Sequence, residues 1–190
     1  MAPPGPLVND SALAEILGRR SIRRGDFVLA SGARSSFYID CRFTTLSAEG
    51  QAVIGRLGRA ALTAAGWQPA AVGGLTMGAD PVACAIARAS VDVPPTIDAF
   101  SVRKQAKDHG TGRLVEGNLA AGDAVVIVED VITSGGSALQ AARSVEAAGG
   151  KVLGVLAVVD REEGGRAAIE AAGYPVRVLI TASALGLTPA

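Results

Sequence analysis

Apolar residues along this chain fall into two alternating kinds of run. Short stretches rich in Val, Ile, Leu and Ala recur through its second half: Ala71-Val72-Gly73-Gly74-Leu75, Thr96 to Val102, Ala124 to Glu129, Val152 to Val159 and Val176 to Ile180. A strand that is apolar at nearly every position is covered on both faces. Between these runs, apolar positions return at helical spacing from about Ala79 to Ala89, Gly136 to Ala148 and Arg166 to Ala172. Strands alternating with helices predict right-handed crossovers and a parallel sheet. The opening of the chain reads differently. Asn9 or Asp10 can cap a helix through about Arg20, with Leu13, Ile16 and Leu17 on one face. Phe27-Val28-Leu29 and Phe37-Tyr38-Ile39 then read as two short strands turned around Ser31-Gly32. Ser47 can cap a further helix that places Val53, Ile54, Leu57 and Ala61 inward, with Gly66 at its end. The predicted architecture is an α/β fold: a doubly wound central parallel sheet flanked by helices, with a small N-terminal hood. One domain spans 1–190, with the hood over about 1–45 and the core over about 46–190. The one long polar gap, Arg103 to Gly122, breaks the pattern, and a loop over 103–117 is expected to be mobile or functional.

Composition narrows the class. With 190 residues, 49% hydrophobic and 19% charged, the chain can bury a core and does not read as disordered. Lys plus Arg is 18 and Asp plus Glu is 18, a balance that argues against a generally basic nucleic-acid binder. Cys41 and Cys84 form no CxxC or Cys/His cluster, so a disulfide scaffold and a structural zinc are disfavoured. Reduced thiols in a cytoplasm are the default. No apolar stretch approaches the roughly 20 residues of a membrane span. The start, Met-Ala-Pro-Pro-Gly-Pro, lacks the basic and apolar regions of a signal peptide.

The densest chemistry lies in Val125-Val126-Ile127-Val128-Glu129-Asp130-Val131-Ile132-Thr133-Ser134-Gly135-Gly136-Ser137. An apolar strand ends in two acids, and a small-residue loop then opens a helix. In open α/β sheets ligands bind beyond the carboxyl ends of the strands. Backbone N–H groups of the Thr133–Ser137 loop, with the helix dipole behind them, make a phosphate cradle. Two carboxylates beside a phosphate site suit hydroxyls or a metal rather than the phosphate. A ribose 5-phosphate with free 2- and 3-hydroxyls satisfies both halves. No Gly-Lys-Ser/Thr follows, and there is no GxGxxG, so neither a Walker loop nor a dinucleotide fingerprint is present. A second cluster, Arg103-Lys104-Gln105-Ala106-Lys107-Asp108-His109-Gly110-Thr111-Gly112-Arg113, gathers cations and the chain's only histidine between glycines. Such a loop suits closing over a polyanion and excluding water.

The thirteen-residue run resembles the phosphoribosyl-pyrophosphate (PRPP) motif of type I phosphoribosyltransferases. At a finer level, Arg-Lys-x-x-Lys-Asp-His-Gly in the polar gap is similar to the catalytic loop of orotate phosphoribosyltransferases. Ser31-Gly32-Ala33-Arg34-Ser35-Ser36-Phe37-Tyr38-Ile39-Asp40 resembles their hood motif, and Asp160-Arg161-Glu162-Glu163-Gly164-Gly165 a further segment. The resemblance implies a type I phosphoribosyltransferase-like fold. It also implies transfer of the phosphoribosyl group from PRPP to orotate, giving orotidine 5'-monophosphate and pyrophosphate in de novo pyrimidine biosynthesis. Competing readings are a type I transferase for another base, or a PRPP-sensing regulator that binds nucleic acid. The hood and loop motifs speak against the first, zero net charge and intact Glu129-Asp130 against the second.

Carried over residue by residue, the resemblance implies that Glu129 and Asp130 hold the ribose hydroxyls. Thr133, Ser134, Gly135, Gly136 and Ser137 would bind the 5-phosphate, with Val131 and Ile132 in the same PRPP-binding run. Arg103, Lys104, Lys107 and His109 would meet the pyrophosphate, with Lys107, His109, Arg103 and Asp130 as the catalytic set. Thr133, Arg161, Phe37 and Tyr38 would lie against orotate. Mg²⁺ is implied as cofactor, carried mainly by PRPP with no direct protein ligand. A homodimer is implied in which loop 103–113 of one subunit serves the site of the other, with no nucleic-acid or membrane partner. Ala30 and Met77 stand where some relatives carry lysine, and Arg34 and Arg42 are candidate replacements. The turn Gly73-Gly74-Leu75-Thr76-Met77-Gly78 could still offer backbone N–H groups to pyrophosphate.

Overall fold

The structure is a computed structural model that describes residues 11–28, 34–105 and 113–187. The chain runs α1 (Ser11–Arg20), β1 (Ile22–Val28), β2 (Arg34–Ile39), α2 (Arg42–Thr45), α3 (Ala48–Ala64), β3 (Ala71–Leu75), α4 (Ala79–Asp92), β4 (Asp98–Val102), β5 (Val115–Gly117), β6 (Ala124–Ile132), α5 (Gly136–Ala147), β7 (Lys151–Asp160), α6 (Gly165–Ala171) and β8 (Val176–Thr181), with a short 3₁₀ turn at Ser183–Leu185. The main sheet has the order β5-β4-β3-β6-β7-β8, parallel except for β5. From β3 the chain moves outward to β4; from β6 it moves the other way through β7 to β8. The strand order therefore reverses between β3 and β6, and the crevice beyond their carboxyl ends is the place an open α/β sheet offers a ligand.

Alternation along the buried strands builds two cores. Val72, Val126, Val128, Leu156 and Val158 face the layer of α3 and α4, where they meet Ile54, Leu57, Leu62, Val82 and Ile86. Val125, Ile127, Val155 and Ala157 face the other way, onto Ala138, Ala141, Ala142 and Val145 of α5 and Ile169 of α6. The hood joins the first core through Leu13, Leu17, Phe37, Ile39 and Cys41. Its two strands pair antiparallel with a bulge between Arg24 and Phe27, and β2 alternates buried and exposed. Ser47 caps α3 as its sequence position predicts, accepting from the Gly50 N–H at 3.1 Å.

Several boundaries differ from the sequence reading. Strand β6 runs to Ile132 rather than Glu129, because its neighbour β7 continues to Asp160 and pairs residue for residue, Val131 with Val159 and Ile132 with Asp160. The two acids thus sit inside the strand's last residues. The polar gap is not all loop: Val115–Gly117 forms β5, an edge strand antiparallel to β4. Three residues are too few to leave a periodic signature. Strand β1 begins at Ile22, and its exposed Arg23 and Arg24 hide it from an apolar count. Helix α4 continues to Asp92, and α2 was not anticipated.

Leu57 lies on the inner face of α3 and is fully buried. Leu57→Ala should lower unfolding free energy by about 2–5 kcal/mol, read as a shift of the urea midpoint. A loss below about 0.5 kcal/mol, the range of surface substitutions, would show that α3 does not pack as described.

Candidate active site

Three segments converge on the crevice between β3 and β6: the turn after β3, the end of β6 with its following loop, and the end of β7. The hood closes it from one side. The strand period divides the two acids. Glu129 follows Val125 and Ile127 towards α5 and lines a small concavity with residues 131–138. Asp130 follows Val126 and Val128 towards the hood, where Asp40 and Arg42 are close enough to act on its charge.

Glu129 is 5% exposed, and its Oε1 has no hydrogen-bond partner. Burial, and secondarily the charge on Asp130, push its carboxyl up to about 8. Asp130 is raised mainly by burial, against the pull of the Val131 N–H, which donates to Oδ1 at 2.9 Å. Gly78 makes room for it: a Cβ there would lie 2.5 Å from Asp130 Oδ1, so the turn after β3 can approach the carboxylate only without a side chain. On the hood side Asp40 accepts from Arg42 Nε at 2.8 Å and Nη2 at 2.7 Å, which holds its carboxyl below the usual range. The Cys41 thiol between them is fully enclosed; burial, then the charges on Asp130 and Asp40, push it well above its ordinary value.

The loop Thr133–Ser137 connects β6 to α5 as the sequence predicts. Gly135 precedes the helix with φ 80°, a left-handed conformation that a residue with a side chain resists. A Cβ there would also press on Ile169 Cγ1 at 2.9 Å. Thr133, Ser134, Gly136 and Ser137 are exposed, open to a ligand at the N-terminus of α5.

Arg161, from the β7 end, is buried at 6% exposure. It is not the surface arginine that its acidic neighbours would suggest. Its guanidinium carbon lies 5.2 Å from the centre of the Phe37 ring, and Nη2 lies 2.6 Å from Glu163 Oε1. Nε has no hydrogen-bond partner. The backbone around it is fixed on both sides. Arg161 N–H donates to Ile132 C=O at 3.0 Å, and Glu162 N–H to Asp160 Oδ1 at 2.8 Å. Glu162, at φ 60°, accepts from the Ser183 N–H at 2.6 Å and hydroxyl at 3.0 Å. Phe37 is thus brought to Arg161. Tyr38 points to the opposite face of β2, 39% exposed, with its ring 5.8 Å from that of Phe27.

Arg103 leaves β4 with its Nε 2.9 Å from Glu116 Oε1 on β5, and Lys104 is exposed. Lys107 and His109 lie outside the described residues, as do Ala30 and Ser31-Gly32 of the hood motif. Of the two candidate replacements for the missing lysines, Arg42 is engaged by Asp40, and Arg34 is exposed with Nη2 3.9 Å from Asp26 Oδ2. Sequence reasoning gave no role to Asp40, although its spacing from Arg42 at a strand end was a signal. Nor did it give one to Asp80, in the first turn of the helix after the glycine-rich turn. Among the described residues no three His, Cys, Asp or Glu side chains cluster as a metal cage.

Comparison with known proteins agrees with this geometry. Residues 44–173 match the phosphoribosyl transferase domain family. An orotate phosphoribosyltransferase of Mycobacterium avium is 51% identical over 175 residues, covering 92% of this chain and 95% of that protein. That of Rhodopirellula baltica is 42% identical, covering 93% and 94%. A crystal structure of the Mycobacterium tuberculosis orotate phosphoribosyltransferase in complex with PRPP superposes with a TM-score of 0.79 at 43% identity, covering 92% of this chain and 97% of that one. The chain belongs to the orotate phosphoribosyltransferase family of phosphoribosyltransferases.

The Glu129 carboxyl gives a pH prediction. Its value is raised from the ordinary 4.5 to about 8 in the folded chain. Between these values the folded state holds a proton that the unfolded state has released, so stability falls as pH rises across the window and levels off above it. Substrate-free Glu129→Gln should therefore melt above the parent near pH 8, the difference narrowing towards pH 5, as followed by Tm. A difference that stays constant across that range would show that Glu129 is already ionised when buried.

Proposed function

We propose that the protein transfers the phosphoribosyl group of PRPP to orotate, giving orotidine 5'-monophosphate and pyrophosphate, in the crevice between β3 and β6. The observation that carries this reading is the buried Glu129 carboxyl, its Oε1 without a partner, beside the Thr133–Ser137 cradle. An anion cradle and acids able to accept from hydroxyls, on one strand end, suit a sugar phosphate. Family membership supplies the base.

In this reading Glu129 and Asp130 accept from the ribose hydroxyls, and the loop residues 133–137 donate backbone N–H groups to the 5-phosphate, with Val131 and Ile132 leading into it. Arg103, Lys104, Lys107 and His109 meet the pyrophosphate. Arg161, braced on Phe37, faces the orotate carboxylate or carbonyls, with Thr133 at the ring's edge, while Tyr38 lies on the other face of β2 and is not brought to this group. The bond from the ribosyl carbon to pyrophosphate breaks as the bond to the orotate ring nitrogen forms. Positive charge builds on that carbon and negative charge on the leaving group. Orotate is already an anion at neutral pH, so no strong base is required, and His109 serves as a donor to pyrophosphate. The hard carboxylate oxygens of Glu129 and Asp130 fit a Mg²⁺ brought by PRPP. When bound, Mg²⁺ neutralises charge on the departing pyrophosphate.

A second subunit belongs to the proposal. Phe43, Leu46 and Met77 are each more than half exposed, which suits burial against another copy. The cationic loop would then close over the partner's site. Cytoplasmic placement is supported by the free thiols of Cys41 and Cys84. Among the described residues no helix is long and apolar enough to cross a membrane.

The deciding assay mixes protein, PRPP, Mg²⁺ and orotate and follows loss of orotate absorbance. Orotate should be consumed while uracil and hypoxanthine are not, and excess chelator should stop turnover. Consumption of a control base in place of orotate would overturn the assignment, and full turnover in chelator would overturn the role of the metal.

Subunit sharing has its own test. Lys107→Ala removes a cation from the leaving group, and losses of roughly 10²–10³ in rate are typical for one such donor. Arg161→Ala damages the base pocket instead. In a mixed dimer the Lys107→Ala chain keeps an intact pocket and receives an intact loop, so one site is whole. Random exchange makes about half the dimers mixed, and roughly a quarter of parent activity should return. Absence of rescue, with exchange verified by mass spectrometry, would place the loop on its own chain's site.

A further inference from the structure

The turn between β3 and α4 has a single side chain, that of Thr76, through which it can be fixed. Gly73 and Gly74 precede it, Met77 is 61% exposed, and Gly78 ends it. Yet its position matters, since Gly78 lies directly against Asp130. What holds its other side is Asp80, in the first turn of α4. The Asp80 carboxylate accepts from the Thr76 hydroxyl at 2.6 Å through Oδ2, and from the Ser101 hydroxyl at 2.7 Å through Oδ1. Thr76 N–H donates to Val102 C=O at 2.8 Å, so the turn is fastened to β4 by backbone as well. Ser101 stands two residues before Arg103, where the cationic loop begins.

One half-buried carboxylate therefore joins three pieces: the turn facing Asp130, the start of α4, and the strand that launches the loop. A two-oxygen acceptor is required. Each oxygen takes one hydroxyl, and both hydroxyls come from residues of the crevice wall. Asparagine keeps the shape but turns one of the two acceptors into a donor, so one hydroxyl must reverse its hydrogen bond and place its own proton elsewhere, and the charge on the acceptor is lost. Asp80 makes no hydrogen bond or ion pair with Phe37, Arg161 or Thr133, the residues assigned to the base.

We propose that Asp80 is a positioning residue for the pyrophosphate half of the reaction. It holds the backbone N–H groups of 76–78 in register with Asp130 and with the base of the 103–113 loop, and it sets affinity for PRPP and pyrophosphate while leaving orotate recognition alone. The inference rests on the reading that the 73–78 turn meets pyrophosphate.

The test measures KM for PRPP, KM for orotate, and pyrophosphate binding by calorimetry. Asp80→Asn should raise KM for PRPP and weaken pyrophosphate binding by roughly ten-fold or more, since displacements near 1 Å can cost about 10²-fold. KM for orotate should change less than about two-fold, within the scatter of a lost remote contact. Thr76→Val should show the same split and Thr76→Ser should restore it. The double variant Asp80→Asn/Thr76→Val should be little worse than either single one. Thr76→Val carries the test should Asp80→Asn fail to fold. Equal losses for both substrates, or unchanged PRPP and pyrophosphate affinities in a folded Asp80→Asn and Thr76→Val, would overturn the inference. Gly78→Ala separates the two levels. If it too leaves pyrophosphate binding unchanged, the turn does not meet pyrophosphate; if it alone weakens binding, the turn reading stands and Asp80 has no positioning role.

Discussion

A carboxyl group held out of water without a partner is the feature around which this molecule is arranged. Burying an unpaired charge is costly enough that the group takes a proton instead, and Glu129 does so at a site where its strand is covered on both sides. The cost is accepted where the sheet order reverses and a concavity opens beyond the strand ends. A ligand that brings hydroxyls to that concavity supplies the missing partners. Stability and binding are thereby set against each other at a single side chain.

The strand's period of two turns this pair into a division of labour. Consecutive acids on a β-strand cannot face the same way. Glu129 attends the cradle before α5, and Asp130 attends the hood and the turn after β3. The hood's Asp40–Arg42 pair, neutral as a unit, gives Asp130 a polar wall. Phe37 in turn supplies a flat surface for Arg161. The crevice is thus bounded by side chains from segments separated by more than a hundred residues, Phe37 and Arg161 among them.

Much of this was legible in the chain. Apolar runs at Ala71, Ala124 and Val152 betray buried strands, because only a strand covered on both faces needs them. The Thr133–Ser137 loop could be placed because small residues after an acidic strand end have few other uses. What escaped was set by partners distant in sequence. The end of β6 at Ile132 depends on the length of β7. The edge strand Val115–Gly117 exists only because Phe100 to Val102 lies beside it. Arg161 could be assigned to the base from its motif, but not its burial against Phe37, which the hood supplies, and Asp80 had no reading until Ser101 arrived from β4. Periodicity reports what a residue's own element does; it is silent on what another element brings.

The clasp between Glu162 and Ser183 carries a consequence for how such a protein can change over evolutionary time. Among the described residues Glu162 is the only non-glycine residue with positive φ, and its carboxylate is what secures the 3₁₀ turn after β8. Arg161 shares that backbone. The Ser183–Leu185 turn is therefore no idle appendage: a drift in its sequence is felt at the arginine proposed to read the base. Mutations there would be screened by substrate choice rather than by solubility. A lineage shifting its base preference could begin at residue 183, far from the pocket in sequence, without altering a residue that touches the substrate.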